Sequence, residues 1–218
     1  MFVVALPLIA HPAALPRAVA GVTCSLSWQD AGNWVVSFIV AAPPSAMALP
    51  APCAPARVDG LWQHSCFELF LSNTDDGSYC EFNFSPSGEW AAYAFDSYRS
   101  GMRPLAVRDP WITSSVPDQF ACAMAARLAA IGLDTAPIDT LMSDPLSDMP
   151  NAAEQYTLNG HLEDATLDSG RRWILGMSAV IEEVDGTKSF WALAHPPGKP
   201  DFHHPDCFTL KVPAPSAP

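Results

Sequence analysis

Residues 22–28 read Val, Thr, Cys, Ser, Leu, Ser, Trp, apolar and polar in turn, and a period of two is the pattern of a strand buried on one face only. Turn chemistry follows at 29–33, then a β-branched and aromatic run at 34–40, so the first forty residues predict a hairpin. Three more strands are expected at 66–71, 79–85 and 89–96, separated by polar and Gly-containing turns at 73–78 and 86–88, which together make a meander. Further strand signals fall at 156–163, 173–183, 189–193 and 207–212, with a turn at Asp185 and Gly186. About nine or ten strands with no alternation of strand and helix favour an all-β, antiparallel β-sandwich over any doubly wound fold.

Elsewhere the pattern is less even. Prolines at 43, 44, 50, 52 and 55 deny residues 41–57 a place in a central strand, leaving a surface crossing or an edge. In 120–131 Phe120, Met124, Leu128 and Ile131 would share one helical face, so a short helix leads strand there. Residues 132–153 read as a long loop or insertion, and 213–218 as a frayed tail. One domain over 1–212 is the expected organisation. The apolar start of the chain, residues 1–10, lacks a basic stretch before it, and His11 and Pro12 interrupt it. An ordered first strand is therefore preferred to a signal peptide.

Hydrophobic residues make up 49% and charged residues 16% of the 218, enough apolar surface for one sizeable core. With 11 Lys plus Arg against 23 Asp plus Glu, the net charge of -12 repels phosphate backbones and anionic lipid. Nucleic acid and membrane are thus excluded as expected partners, and no run is long enough to span a bilayer. The six cysteines, at 24, 53, 66, 80, 122 and 207, show no spacing of a zinc or disulfide framework. Buried thiols suit a reducing compartment, so a cytoplasmic location is expected, with the periplasm as the alternative.

Two stretches carry the polar chemistry. In the strand at 66–71, Phe67, Leu69 and Leu71 fall on one face and Cys66, Glu68 and Phe70 on the other. In the next, Tyr79, Glu81 and Asn83 oppose Cys80, Phe82 and Phe84. If the apolar sets form the core, Glu68, Glu81 and Asn83 share the opposite face, which is either wet or a ligand face. Trp62, Trp90, Tyr93 and Tyr98 lie near in sequence and Arg99 adds a fixed donor fork; aromatic walls with a few directional groups suit a sugar ring or flat cofactor. For any single ring, core packing is the plainer reading.

The second stretch, 190–207, loads His195, His203, His204, Asp201 and Asp206 onto a loop stiffened by four prolines before residue 206 and one glycine. Metal ligation, metal-free ligand contact and structural hydrogen bonding are all open to it, although adjacent histidines in extended backbone point apart. No metal ligand is assigned. The chain has no G-x-S-x-G, G-x-G-x-x-G or Walker motif, and paired carboxylates on adjacent strands are common in non-enzymes. No catalytic residue is assigned, and an enzyme is the runner-up.

Residues 61–71 (LWQHSCFELFL), 81–90 (EFNFSPSGEW), 98–102 (YRSGM) and the loop from Trp191 to Cys207 resemble bacterial DOMON-like proteins related to family 9 carbohydrate-binding modules. The resemblance covers about residues 11–212. It implies an immunoglobulin-like β-sandwich whose relatives bind sugars or haem. In the sugar binders a Trp six residues before a Glu lies at the ligand site, a spacing that Trp62 and Glu68 match; Trp191 or Phe202 is the candidate for a second aromatic wall. In the haem binders an axial Met with a His or Lys would correspond to Met102 with His203 or His204.

The expected function is therefore a non-enzymatic domain that binds a small molecule, a sugar first, without a cofactor. Trp62, Glu68, Glu81, Asn83, Trp90, Tyr98, Arg99, Trp191, His195, Asp201, His203 and His204 are its candidate contacts. The alternatives are a non-covalent haem b or metal redox domain and a protein-interaction module.

Overall fold

The structure, a computed structural model, describes residues 2–28, 33–116, 154–163 and 173–211. The expected turn at 29–33, except for residue 33, the helical reading of 120–131, the loop at 132–153 and the tail at 213–218 lie outside them.

Twelve strands form within the described residues: β1 (Phe2–Ala10), β2 (Val22–Trp28), β3 (Asn33–Val40), β4 (Cys66–Asn73), β5 (Tyr79–Phe84), β6 (Trp90–Phe95), β7 (Arg103–Pro104), β8 (Trp111–Ser114), β9 (Tyr156–Glu163), β10 (Trp173–Glu182), β11 (Lys188–Ala192) and β12 (Leu210–Lys211). They hydrogen-bond in the order β7-β6-β5-β4-β10-β11-β1-β2-β3-β9-β8, with β12 added to β10, and every pairing of these strands is antiparallel. The sequence expectation of an antiparallel all-β sandwich holds. The count exceeds it through the short β7 and β8, too brief to show a period, while β12 keeps only two residues of the strand expected at 207–212.

Strand β1 turns this path into two layers. Its residues from Phe2 to Leu8 pair with β2, while Ile9 and Ala10 pair with Ala192 and Trp191 of β11. One layer is β1-β2-β3-β9-β8 and the other β11-β10-β4-β5-β6-β7. Between them lie Leu26, Val36, Phe38 and Leu158 from the first and Phe67, Leu69, Phe82, Phe84 and Met177 from the second, all essentially without exposure. The Phe38 ring stands 5.1 Å from that of Phe67, and Phe67 stacks on Tyr156 at 6.0 Å. Each such aromatic ring contributes about 1.5–3 kcal/mol of burial, so the layers are held by area rather than by bonds.

The second layer is covered on its outer face as well. Phe70, Tyr79, Ala91, Tyr93, Phe95, Val180, Ala192 and Phe202 form a separate apolar cluster there. Phe202 belongs to the loop between β11 and β12, so that loop is a roof over the sheet. The Pro-rich 41–57 segment runs as a crossing with one 3-10 turn at Pro44–Ala46 and two isolated bridges, Met47 to Glu183 and Arg57 to Trp90. Glu183, buried, accepts from the backbone N–H groups of Arg17 and Ala18 at 2.8 and 2.9 Å and so ties the β1–β2 connection down.

Candidate functional site

The outer face of the second layer carries a hollow of about 300 Å³. Its floor is Glu68 of β4, Glu81 of β5, Phe95 of β6, Val180 of β10 and Phe190 of β11; Trp62, Arg99, Met102 and Pro200–His203 rise around it from loops. The antiparallel register sets the floor. Glu68 stands opposite Asn83 on one side and Ser178 on the other, and Phe70 stands opposite Glu81. Because side chains alternate, Glu68, Asn83, Ser178 and Glu81 must all emerge on the same face.

The two carboxyls are only 3% and 4% exposed. Ser178 Oγ donates to Glu68 Oε2 at 2.7 Å, and Asn83 Nδ2 donates to Glu81 Oε1 at 2.7 Å. Asn83 Oδ1 in turn accepts from the Cys66 thiol at 3.5 Å. Burial, with the neighbouring Glu81 charge behind it, pushes the Glu68 carboxyl well above the usual carboxylate range, and burial also raises Glu81. Two such groups on one dry floor hold a proton between them near neutrality. Cys66, wholly buried beside them, is pushed up by burial and by both carboxylates, so it is an inert thiol.

His203 stands over Glu81. Its Nδ1 lies 2.9 Å from the Tyr79 hydroxyl, which also accepts from the Arg99 backbone N–H at 3.1 Å. Where Tyr79 donates to Nδ1, the proton of the neutral ring sits on Nε2, 3.8 Å from Glu81 Oε2. Burial lowers the imidazole to about 4, so the ring is neutral at physiological pH.

The rim is a second network. Arg99 Nη2 donates to Asp201 Oδ1 at 2.7 Å, Tyr98 donates to Asp201 Oδ2, and Asp201 Oδ1 also accepts from the His203 backbone N–H at 3.2 Å. Burial works against the Asp201 charge, but the bonds from Tyr98 and Arg99 outweigh it and hold the carboxyl below its usual range. Arg99 is the one non-glycine residue with positive φ among the described residues, at 51°. That left-handed turn costs on the order of 1–3 kcal/mol and persists where neighbours fix it at both ends, here Tyr79 and Asp201.

Trp62 supplies the aromatic wall. It sits on a 3-10 turn, Leu61–Gln63, keeps 40% of its surface exposed, and meets Tyr93 edge-on at 6.2 Å. The end of the turn is clamped from β10 and β11: Lys188 donates to the Gln63 carbonyl, and Glu182 Oε2 lies 2.8 Å from His64 Nδ1.

Trp62, Glu68, Glu81, Arg99, Asp201 and His203 thus meet at the hollow, with Asn83 beneath Glu81 and Tyr98 at the rim. The other candidates do not. Trp90 and Trp191 are buried between the layers, Trp191 donating to Ser189 Oγ at 2.9 Å. His195 faces away, its Nε2 2.8 Å from the Ile9 carbonyl and its ring 4.8 Å from that of His11. His204 Nδ1 accepts from the Asp206 backbone at 3.2 Å and caps the Pro205–Cys207 turn. Residues not singled out in the sequence also contribute: Ser178, Val180, Phe190, Phe95 and Pro200, with Tyr79 behind His203. Ser178, Val180 and Phe190 follow only from the register of β10 with β4 and β11. Among the described residues no group of three or more His, Cys, Asp or Glu is arranged to hold a metal ion, and no helix is long and apolar enough to cross a membrane.

Fold and site together define an antiparallel β-sandwich with a roofed, carboxylate-floored hollow on its outer face. No family model matches the chain and no curated protein does. Among solved structures it is similar to a Bacteroides uniformis protein provisionally described as carbohydrate-binding, with 12% identity, a TM-score of 0.56, and coverage of 95% of this chain and 84% of that one. At that identity the likeness is one of fold. Two structures of a family 9 carbohydrate-binding module from Caldicellulosiruptor kristjanssonii, with cellotriose and with glucose, align at 10% identity with TM-scores of 0.41 and 0.39, covering 84% and 85% of this chain and 72% and 75% of theirs. These two are too distant to carry an argument.

Proposed function

We propose that the protein binds a small hydroxyl-rich ligand, a sugar ring, in the hollow and does not turn it over. The observation that carries this reading is the pair Glu68 and Glu81, buried carboxylates lining an open volume beside a half-exposed indole. A carboxylate accepts about four hydrogen bonds. Among the described residues Glu68 receives one, from Ser178, and Glu81 one, from Asn83, so both retain acceptor capacity toward the hollow. Sugar hydroxyls are donors of the right kind, and the Trp62 face suits the apolar side of a pyranose. A volume of about 300 Å³ is at the small end of ligand sites, which favours one terminal ring. Both carboxyls rise from the same sheet rather than flanking a bound ring from two sides, which favours binding over glycosidic hydrolysis. The resemblance to DOMON-like proteins and family 9 modules, and the provisional description of the Bacteroides uniformis protein, agree with this reading. A glycan array followed by calorimetry tests it: binding that falls at least tenfold in Trp62→Ala supports it, whereas no sugar bound, or unchanged binding in that variant, overturns it.

A second reading, haem held by Met102 and His203, is favoured by one observation, that both line the same hollow. As placed, His203 Nε2 faces Glu81 Oε2 at 3.8 Å, so the site does not fit an axial ligand unless Glu81 moves aside. Protein from cells supplied with haem precursor would show a Soret band if this reading held, and the lack of one removes it.

A further inference from the structure

We infer that the hollow selects a cationic sugar, one whose ring carries a free ammonium group, over neutral and acidic sugars; this rests on the reading of the hollow as a sugar site. The ground is a pair of buried carboxyls whose charge the protein meets only with a shared proton and with Arg99 at a distance. Glu68 and Glu81 are both more than nine-tenths buried and both line the hollow. Their hydrogen-bond donors, Ser178 and Asn83, are neutral. The nearest cation, Arg99, gives its guanidinium to Asp201, and His203 Nε2 stays 3.8 Å from Glu81 Oε2, too far for a hydrogen bond. Glu68 Oε1 and Glu81 Oε2 accept no hydrogen bond from the described residues.

Buried carboxylates ordinarily meet a cation, because leaving their charge uncompensated in a dry site is costly. Here the remaining face of both groups is open volume, so a cation from outside the chain can take the place of the shared proton. A hydroxyl fills an acceptor position but neutralises nothing. An ammonium does both, and the half-exposed Trp62 that lines the same hollow is an aromatic surface that attracts cations. A ligand carboxylate would instead be set against the two glutamates. The net charge of -12 acts in the same direction at long range, concentrating cations near the protein.

The test is calorimetry on the full chain at about pH 7, where an amine on a sugar ring is largely protonated, with glucosamine, glucose, N-acetylglucosamine and glucuronate, and with cyclohexylamine as a ring ammonium without hydroxyls. Glucosamine is expected to bind at least about tenfold more tightly than glucose or N-acetylglucosamine, and glucuronate more weakly than any of them. In Glu81→Gln and in Glu68→Gln, each verified as folded by circular dichroism, the advantage of glucosamine over glucose shrinks to within about threefold, since either change removes one of the two carboxyls that together face the ammonium. Equal affinity for glucose and glucosamine overturns the inference and leaves the sugar reading standing. An advantage that survives in both Gln variants also overturns it. Cyclohexylamine binding as tightly as glucosamine, with no neutral sugar bound, overturns the sugar reading instead.

Discussion

Asn83 lies directly opposite Glu68 in the β4–β5 ladder, yet its side-chain amide goes to Glu81, two residues back on its own strand, at 2.7 Å. The amide carbonyl is taken by the Cys66 thiol, which fixes which end of the group faces Glu81. Asn83 is fully buried, so it sets the direction of the Glu81 carboxyl while adding no charge to a floor that already carries two acids.

Replacing that amide by a carboxyl, in Asn83→Asp, tests how intolerant the floor is of a third acid. At about pH 5 the introduced carboxyl, protonated in its dry surroundings, still donates to Glu81, whereas above neutrality it must ionise there. Its burial-raised affinity makes the folded state bind the proton more tightly than the unfolded chain does, so stability is lost as pH rises. Asn83→Asp is expected to unfold in urea within about 1 kcal/mol of wild type at low pH but about 3–5 kcal/mol below it at about pH 8. An equal penalty at both pH values would show that only the lost amide geometry matters.

The native pair makes a related prediction for the unmodified protein. Burial raises Glu68 and Glu81 above their ordinary 4.5, so the folded state holds extra protons, and the stability this gives is full below about 4.5 and lost as pH climbs through and beyond neutrality. His203 works oppositely. Burial lowers it from 6.5 to about 4, so it adds stability as pH rises between those values and nothing above. Arg99 and Asp201 keep their charges throughout this range, and burial holds Cys66 and Tyr79 protonated. The net decline therefore shows above about pH 6.5, at up to about 1.4 kcal/mol per pH unit per proton. Urea titrations of Glu68→Gln should show a flatter line there; a slope unchanged from wild type would mean that the pair does not titrate as a unit.

Lys188 acts on the ligand through Trp62 without touching it. Its ammonium bonds to the carbonyl of Gln63 and lies 3.6 Å from Glu182 Oε2, which also holds His64. Lys188→Met keeps the stem and removes the clamp on the Trp62 turn. Affinity for the bound sugar should fall about threefold to tenfold, roughly 0.7–1.4 kcal/mol, while stability changes by less than about 0.5 kcal/mol, as for other partly exposed ion pairs. In a Trp62→Ala background the same substitution should do nothing further. A full additional loss in that double variant would place the effect of Lys188 elsewhere than on the indole.

What could be read from the residues follows from how many faces of each strand are buried. In 66–71 and 79–84 one face is aliphatic or aromatic and the other carries Glu68, Glu81 and Asn83, so alternation alone assigned them to a common side. Strand β6, Trp-Ala-Ala-Tyr-Ala-Phe, is buried on both faces, and a run without a period gives no means of choosing; hence Trp90 looked as available as Tyr93 but packs in the core. The same holds for β10, where Ser178 and Val180 were invisible as floor residues, and for Trp191 on β11. His195 depends on the pairing of β11 with the end of β1, a contact that spans most of the chain. The prolines of the 196–206 loop announced stiffness, but the direction in which a stiff loop folds is set by what it lands on, here the outer cluster around Phe70 and Phe95.

The closeness of the two layers at Gly160 sets the last expectation. Gly160 of β9 lies under the ring of Phe84, and a Cβ at that position would stand 2.8 Å from Phe84 Cε1. Phe84 has no exposed surface, so its ring cannot swing out to make room, and both residues sit within ladders, Gly160 opposite Val36 and Ile112, Phe84 opposite Phe67 and Trp90. Adding one methyl must therefore push the layers apart or force the ring off its rotamer. Gly160→Ala is expected to cost about 1–3 kcal/mol in urea unfolding, as overpacking does elsewhere, even though alanine ordinarily gains over glycine by narrowing the unfolded ensemble. Trimming the ring in Gly160→Ala with Phe84→Leu should make the pair less damaging than the sum of the two single changes. A neutral or stabilising Gly160→Ala would mean that the sandwich is looser at this contact than the geometry states, and that the floor carboxylates, Glu81 on the strand of Phe84 and Glu68 on the neighbouring one, rest on a softer support.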